Sequence, residues 1–149
     1  PFFIAASPAR PLWWGLGRGE KLRPYPGTFR VPLLIIYPGI AISTRQAYEA
    51  LGRSGKGLTR KLILPTLHGE SIAAHLTNSF ERWAFSRWPV LARAKTFLME
   101  EGARGVSLSG SGSCIYAVGK GSAQCRLWAR RMKRLPVFKG FHYYISTTA

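Results

Sequence analysis

The chain has 149 residues, 46% of them hydrophobic, with 22 Lys/Arg against 6 acidic residues and a formal net charge of +16. That length suits one compact domain, and apolar residues spread along all of it exclude general disorder. No apolar run approaches the about 18–20 residues needed to cross a bilayer, and the apolar start Pro1–Ala6 has no basic segment before it, so neither a membrane partner nor a signal peptide is expected.

Residues 2–6 and 10–16 read as short apolar strands, and Gly15-Leu16-Gly17-Arg18-Gly19 as a turn. Glu20 to Tyr25 predicts another short strand, ended by Pro24 and Pro26. Val31 to Tyr37 is a continuous apolar run closed by Pro38-Gly39, the pattern of a strand buried on both faces. Ser43 or Thr44 can cap a helix reaching Leu51, with Gly52 just past its end. Residues 52–60 are rich in Gly and basic residues and read as a mobile loop. Glu70 to Phe85 is mostly helical in pattern, with a break near Asn78.

Trp88-Pro89 opens a further helix, because Pro is tolerated in a first turn. Leu91, Ala94 and Leu98 give it an apolar stripe, and Gly102 ends it. Glu100 and Glu101 sit at its C-terminus, the wrong sign for the helix dipole, with no local reason. Val106–Ser109 and Cys114–Val118 read as strands around a Gly/Ser turn. Ser122 can cap a last helix with Ala123, Leu127, Trp128, Met132 and Leu135 as its apolar stripe. Val137 to Ile145 is a final strand. The order predicts an α+β fold, an antiparallel sheet backed by helices.

The turn Ser109-Gly110-Ser111-Gly112-Ser113 has two readings. Its glycines let successive amides converge on an anion, with three hydroxyls as further donors. The plainer reading, which spacing alone favours, is an ordinary hairpin turn. It is no Walker loop, since no Lys follows its second Gly, and Ile115 occupies the third Gly position of GxGxxG. Thr44 and Tyr48 share one helix face at i, i+4. They could hold a base or phosphate at a helix N-terminus, or serve as a cap and a core tyrosine. His68, His75 and His142 form no catalytic pattern. Cys114 and Cys125 lack metal-ligand spacing and read as free thiols, which suits a reducing compartment. No metal site is therefore expected in this chain. The charge favours anionic partners: nucleic acid, anionic membranes or phosphorylated small molecules. The run Arg130-Arg131-Met132-Lys133-Arg134 is most simply a solvated helix face, with nucleic-acid contact the sharper alternative.

Four segments then fall in one order: Gly17–Leu22, Tyr37–Tyr48 (with Pro38-Gly39 and Ser43-Thr44), Asn78-Ser79-Phe80-Glu81, and Gly102–Gly112. In that order and spacing the chain resembles the 4-diphosphocytidyl-2-C-methyl-D-erythritol kinase family of the GHMP kinase superfamily. The resemblance implies a step of non-mevalonate isoprenoid biosynthesis in the cytoplasm. ATP, with Mg2+, would phosphorylate the 2-hydroxyl of the methylerythritol unit. It implies a substrate side at Thr44 and Tyr48, with Tyr48 stacking on cytosine. It implies a phosphate-facing role for Ser109, Gly110, Ser111, Gly112 and Ser113. Residues 1–30 would end the preceding kinase domain, and 31–149 would be a GHMP kinase C-terminal-type domain.

Family members also carry an N-terminal half with a longer Gly/Ser-rich ATP loop, a catalytic Lys and a catalytic Asp. This chain has no such segments and no Asp at all, and it begins at Pro1 rather than Met. The expectation is a C-terminal portion that holds no catalytic residue and is inactive without its N-terminal half. Its expected small-molecule partners are the cytidine diphosphate substrate and ATP, and nucleic acid is not expected. Glu49 stands where some members have a basic residue. Sibling kinases acting on homoserine or mevalonate, and a basic nucleic-acid-binding domain, are the alternatives.

Overall fold

The computed structural model describes residues 13–16, 21–24, 31–53 and 76–147. The expected strand at 2–6, most of the 52–60 loop and the helix start at 70–75 lie outside the described residues. Two units separate, Pro1–Arg30 with Thr148–Ala149, and Val31–Thr147. In the first, β1 (Trp13–Leu16) pairs antiparallel with β2 (Lys21–Pro24), Trp13 opposite Pro24 and Leu16 opposite Lys21.

The second unit runs β3 (Pro32–Tyr37), α1 (Thr44–Arg53), α2 (Glu81–Arg87), α3 (Pro89–Glu100), β4 (Gly105–Leu108), β5 (Ile115–Val118), α4 (Ser122–Arg134), a short 3-10 turn (Pro136–Phe138) and β6 (His142–Thr147). Its sheet has the order β4-β5-β3-β6, and every neighbouring pair is antiparallel. This is the split βαβ arrangement, in which two helical crossovers place β3 in the middle of the sheet. The α+β architecture read from the sequence is the one observed.

Register sets the core. Leu34 lies opposite Ala117 and Ile145, and Ile36 opposite Ile115 and Tyr143. Opposed residues share a face, so Leu34, Ile36, Ile115 and Ala117 form one buried apolar surface with Val106 and Leu108. Leu91, Ala94 and Leu98 of α3 pack into this core and are fully buried, as their spacing predicts. Cys125, Trp128, Ala129 and Met132 of α4 and Phe138 complete it. The Trp128 indole N–H donates to the Glu101 carbonyl at 3.1 Å, so its polar end is satisfied.

Several local expectations change. β3 is not sealed on both faces: burial alternates, and Leu33 and Ile35 are only half-buried. Gly52 lies inside the last turn of α1, because the helix continues to Arg53. The start of α1 is as read: Ser43 precedes it, its carbonyl accepting from Ala47 N–H at 3.0 Å and its hydroxyl from Gln46 N–H at a long 3.4 Å, so Ser43 rather than Thr44 is the cap. Ser122 is the first helical residue of α4 rather than its cap, which is Gly121. The α4 stripe is phased differently as well. Leu127 and Leu135 stay 39% and 37% exposed, and the buried line is Cys125, Trp128, Ala129 and Met132. The segment from Val137 splits into the 3-10 turn and β6, with the Lys139–Gly140 turn between them. Glu101 gains the reason the local sequence lacked: its carboxylate pairs with Arg131 of α4.

Candidate functional site

The Gly/Ser turn joins β4 to β5. Ser109 N–H donates to the Cys114 carbonyl at 2.8 Å, and Gly112 N–H to the Ser109 carbonyl at 3.0 Å. These bonds close a tight hairpin, so the bland reading of the turn holds. Gly110 and Gly112 have φ of +57° and +92°, which only glycine adopts without strain. Among the described residues, no protein acceptor meets the amides of Gly110 or Ser111. The hairpin therefore leaves donors available, as an anion-facing turn requires.

The structure brings Thr44 to this turn across 67 residues of sequence: Thr44 Oγ1 and Ser111 Oγ lie 3.1 Å apart. Just before α1, the Ser113 hydroxyl donates to the Ile40 carbonyl. A Cβ added to Gly112 would sit 3.1 Å from Ile42 Cδ1. The 40–44 segment and the turn are thus in direct contact, and the N-terminus of α1 opens beside the turn.

Tyr48, one helical turn along α1, is 62% exposed. Its ring meets Phe80 edge-on, with centroids 5.1 Å apart and planes at 82°. The expected alternative, a core tyrosine, does not hold. A large aromatic that is anchored at one side and open at the other is suited to stacking on a planar ligand. Glu49 is engaged by Arg45 at 2.8 Å, on an exposed face of α1.

Two residues of the site escaped the sequence reading, although their segment was noted. Asn78 Nδ2 donates to the Leu108 carbonyl at 2.9 Å and to the Gly110 carbonyl at 2.8 Å. Glu81 Oε1 accepts from Ser107 Oγ at 3.0 Å and from Leu108 N–H at 3.2 Å, while Oε2 meets Lys95 Nζ at 2.7 Å. The N-x-x-E spacing at the start of α2 resembles a capping pattern. Here the Glu81 carboxylate and the Asn78 Nδ2 hold the β4 end of the turn, while Asn78 Oδ1 stays at the start of α2 and accepts from Phe80 N–H at 2.9 Å.

Burial pushes the Tyr116 hydroxyl above its ordinary range, opposed by its hydrogen bond with Ser107 and reinforced by the Glu81 charge. Among the described residues no cluster of three or more His, Cys, Asp or Glu could hold a metal. Glu81 is already committed to Lys95, Ser107 and Leu108. The described side chains therefore do not fit Mg2+. No helix among the described residues is long and apolar enough to cross a membrane.

Residues 69–132 match the family model described as GHMP kinases C terminal. The 4-diphosphocytidyl-2-C-methyl-D-erythritol kinase of Syntrophus aciditrophicus is 34% identical over 122 residues, 79% of this chain and 41% of that protein. The chain thus spans about 41% of the length of the curated relative it matches. A crystal structure of 4-(cytidine 5'-diphospho)-2C-methyl-D-erythritol kinase superposes with a TM-score of 0.65 at 28% identity, covering 88% of this chain and 47% of that one. Homoserine kinase from Cytophaga hutchinsonii superposes at 0.56 with 18% identity, over 87% of this chain and 44% of its own, a likeness of fold alone. By sequence and by fold, this chain carries a GHMP kinase C-terminal domain.

Proposed function

We propose that the chain is the C-terminal portion of an ATP-dependent kinase that phosphorylates the 2-hydroxyl of 4-diphosphocytidyl-2-C-methyl-D-erythritol. In this reading it acts in the cytoplasm and supplies the substrate side of the site. The observation that carries the reading is the Thr44–Ser111 contact. It joins the two segments that the family resemblance assigns to nucleoside and phosphate. Tyr48 offers its open face to the cytosine. The Gly110 and Ser111 amides, with the hydroxyls of Ser109 and Ser111 beside them, face the phosphates, while Ser113 is buried with its hydroxyl on the Ile40 carbonyl and supports the turn from behind. A net charge of +16 draws an anionic substrate toward the chain.

Phosphoryl transfer depends chiefly on positioning and on stabilising charge around the moving group. ATP with Mg2+ supplies that group. The residues of this chain bind and orient the acceptor. The group that orients the 2-hydroxyl and takes its proton, and the ligands of Mg2+, lie outside these 149 residues in this reading. The chain has no Asp, and Glu81, the one carboxylate beside the turn among the described residues, is fully engaged.

Calorimetric titration of the purified chain tests the proposal. Binding of the cytidine diphosphate substrate, no binding of homoserine or mevalonate, and no ATP-dependent phosphorylation are expected. Selective binding of homoserine or mevalonate would transfer the assignment to a sibling kinase. Turnover by the isolated chain would refute the claim that its catalytic groups lie elsewhere.

A further inference from the structure

Residues 78–80 touch both halves of the proposed substrate side. Asn78 is fixed at three points: its two Nδ2 protons go to the Leu108 and Gly110 carbonyls at 2.9 and 2.8 Å, and Oδ1 accepts from Phe80 N–H at 2.9 Å. Rotating this amide would break every one of these bonds. Phe80, two residues on, meets the Tyr48 ring at 5.1 Å. Ser79 between them is exposed.

The bond to Gly110 has a consequence for the next amide. The Gly110 carbonyl and the Ser111 N–H belong to one planar trans peptide, so they point in opposite directions. Drawing the carbonyl onto Asn78 turns the Ser111 N–H away from Asn78. That N–H has no protein acceptor among the described residues. The Ser111 hydroxyl is held by Thr44, so both ends of this residue are constrained.

We propose that Asn78–Phe80 is the positioning segment of the site: Asn78 aims the Ser111 N–H at the diphosphate, and Phe80 sets the plane of the Tyr48 ring for the cytosine. This rests on the substrate-side reading above. The two roles are separable because the two contacts are made by different residues. A ligand without phosphate should sense Phe80 and ignore Asn78.

The test uses the 149-residue chain with cytidine and cytidine 5'-diphosphate as probes. Asn78→Ser keeps a short oxygen that can accept from Phe80 N–H, but it cannot reach the two carbonyls. It adds no charge that would repel a phosphate. Asn78→Ser should weaken cytidine 5'-diphosphate about 10-fold, the loss of one hydrogen bond to a charged group, and cytidine less than about 2-fold. Phe80→Ala should weaken both probes alike, by about 5-fold, the scale of one aromatic pair. General destabilisation would not change the ratio between the probes.

A second measurement needs no variant. In the wild-type chain, the Ser111 amide resonance should move on adding cytidine 5'-diphosphate and stay in place with cytidine. An unchanged affinity ratio in Asn78→Ser, or a Ser111 amide that ignores the diphosphate in a chain that binds it, overturns the positioning role alone. A wild-type chain that binds neither probe overturns the substrate reading and the positioning role with it.

Discussion

Lys95 of α3 places its ammonium 2.7 Å from Glu81 Oε2, while Glu81 Oε1 accepts from Ser107 and Leu108 of β4. One carboxylate therefore ties α2, α3 and the edge strand together directly behind the Gly/Ser turn. The two side chains are only 15% and 28% exposed, so water replaces little of what they provide.

Removing that carboxylate should be costly. Glu81→Ala leaves Lys95 without its counter-charge and the buried Ser107 hydroxyl without its acceptor. A loss of about 2–3 kcal/mol is expected, between the values for an unsatisfied buried hydrogen bond and a broken buried ion pair. Glu81→Gln keeps an acceptor and should lose less. Urea unfolding of the two variants checks the order. Equal losses would mean that the charge carries the whole effect and the acceptor that Gln keeps contributes nothing.

The two glycines of the turn should differ in sensitivity. An Ala Cβ at Gly110 meets open space, so only its φ of +57° is unfavourable, a cost of about 1–2 kcal/mol. At Gly112 the φ is +92° and the new Cβ would lie 3.1 Å from Ile42 Cδ1. Gly112→Ala should therefore be the more destabilising change, since backbone strain and overpacking act together. Thermal melts of both variants decide it. A milder effect at Gly112 would show that Ile42 yields freely.

These contacts also mark where the sequence was legible. Short-period patterns carried far: the Pro-opened helix and its Leu91, Ala94 and Leu98 stripe fold as read, and the apolar run from Val31 is a strand, although only one of its faces is sealed. The phase of α4 was misjudged because Leu127 and Leu135 are more apolar than Cys125 and Ala129. The sheet nevertheless takes the latter pair, since they flank Trp128 and Met132 on the packed side. Glu101 had no local partner because Arg131 is 30 residues away. Thr44 and Tyr48 could be paired by helical spacing. Their juxtaposition with Ser111 and Phe80 depends on how the crossovers return to the sheet. Asn78 and Glu81 were visible as a motif, but their work is done on carbonyls, amides and a hydroxyl 26–32 residues ahead.

The Thr44–Ser111 contact is exposed, and water replaces it readily. Thr44→Val should change stability by about 0.5 kcal/mol or less, yet it frees the Ser111 hydroxyl and loosens the turn against α1. Affinity for cytidine 5'-diphosphate should fall several-fold, and Thr44→Ser should restore it. Titration of both variants beside their urea midpoints separates the two effects. A Val variant that binds as tightly as wild type would show that the Thr44 hydroxyl does not hold the turn in its binding geometry.

Tyr143 of β6 predicts a pH response. Its hydroxyl is buried without a hydrogen-bond partner among the described residues, and Lys133 Nζ lies 5.7 Å from its ring centroid. Burial pushes its pKa from the ordinary 10.0 up to about 12. The folded state thus favours the neutral phenol more than the unfolded chain does. Its contribution is complete below pH 10 and is lost as pH rises toward about 12, because the unfolded state releases the proton first. Tyr116 is raised in the same sense, so part of the alkaline loss will remain without Tyr143. Tyr143→Phe removes an unsatisfied buried hydroxyl and should be neutral or slightly stabilising at pH 7. It should also flatten the fall in stability between pH 10 and 12. Urea midpoints measured across that interval for both proteins test this. A variant curve parallel to wild type would show that the Tyr143 hydroxyl ionises as freely in the fold as outside it.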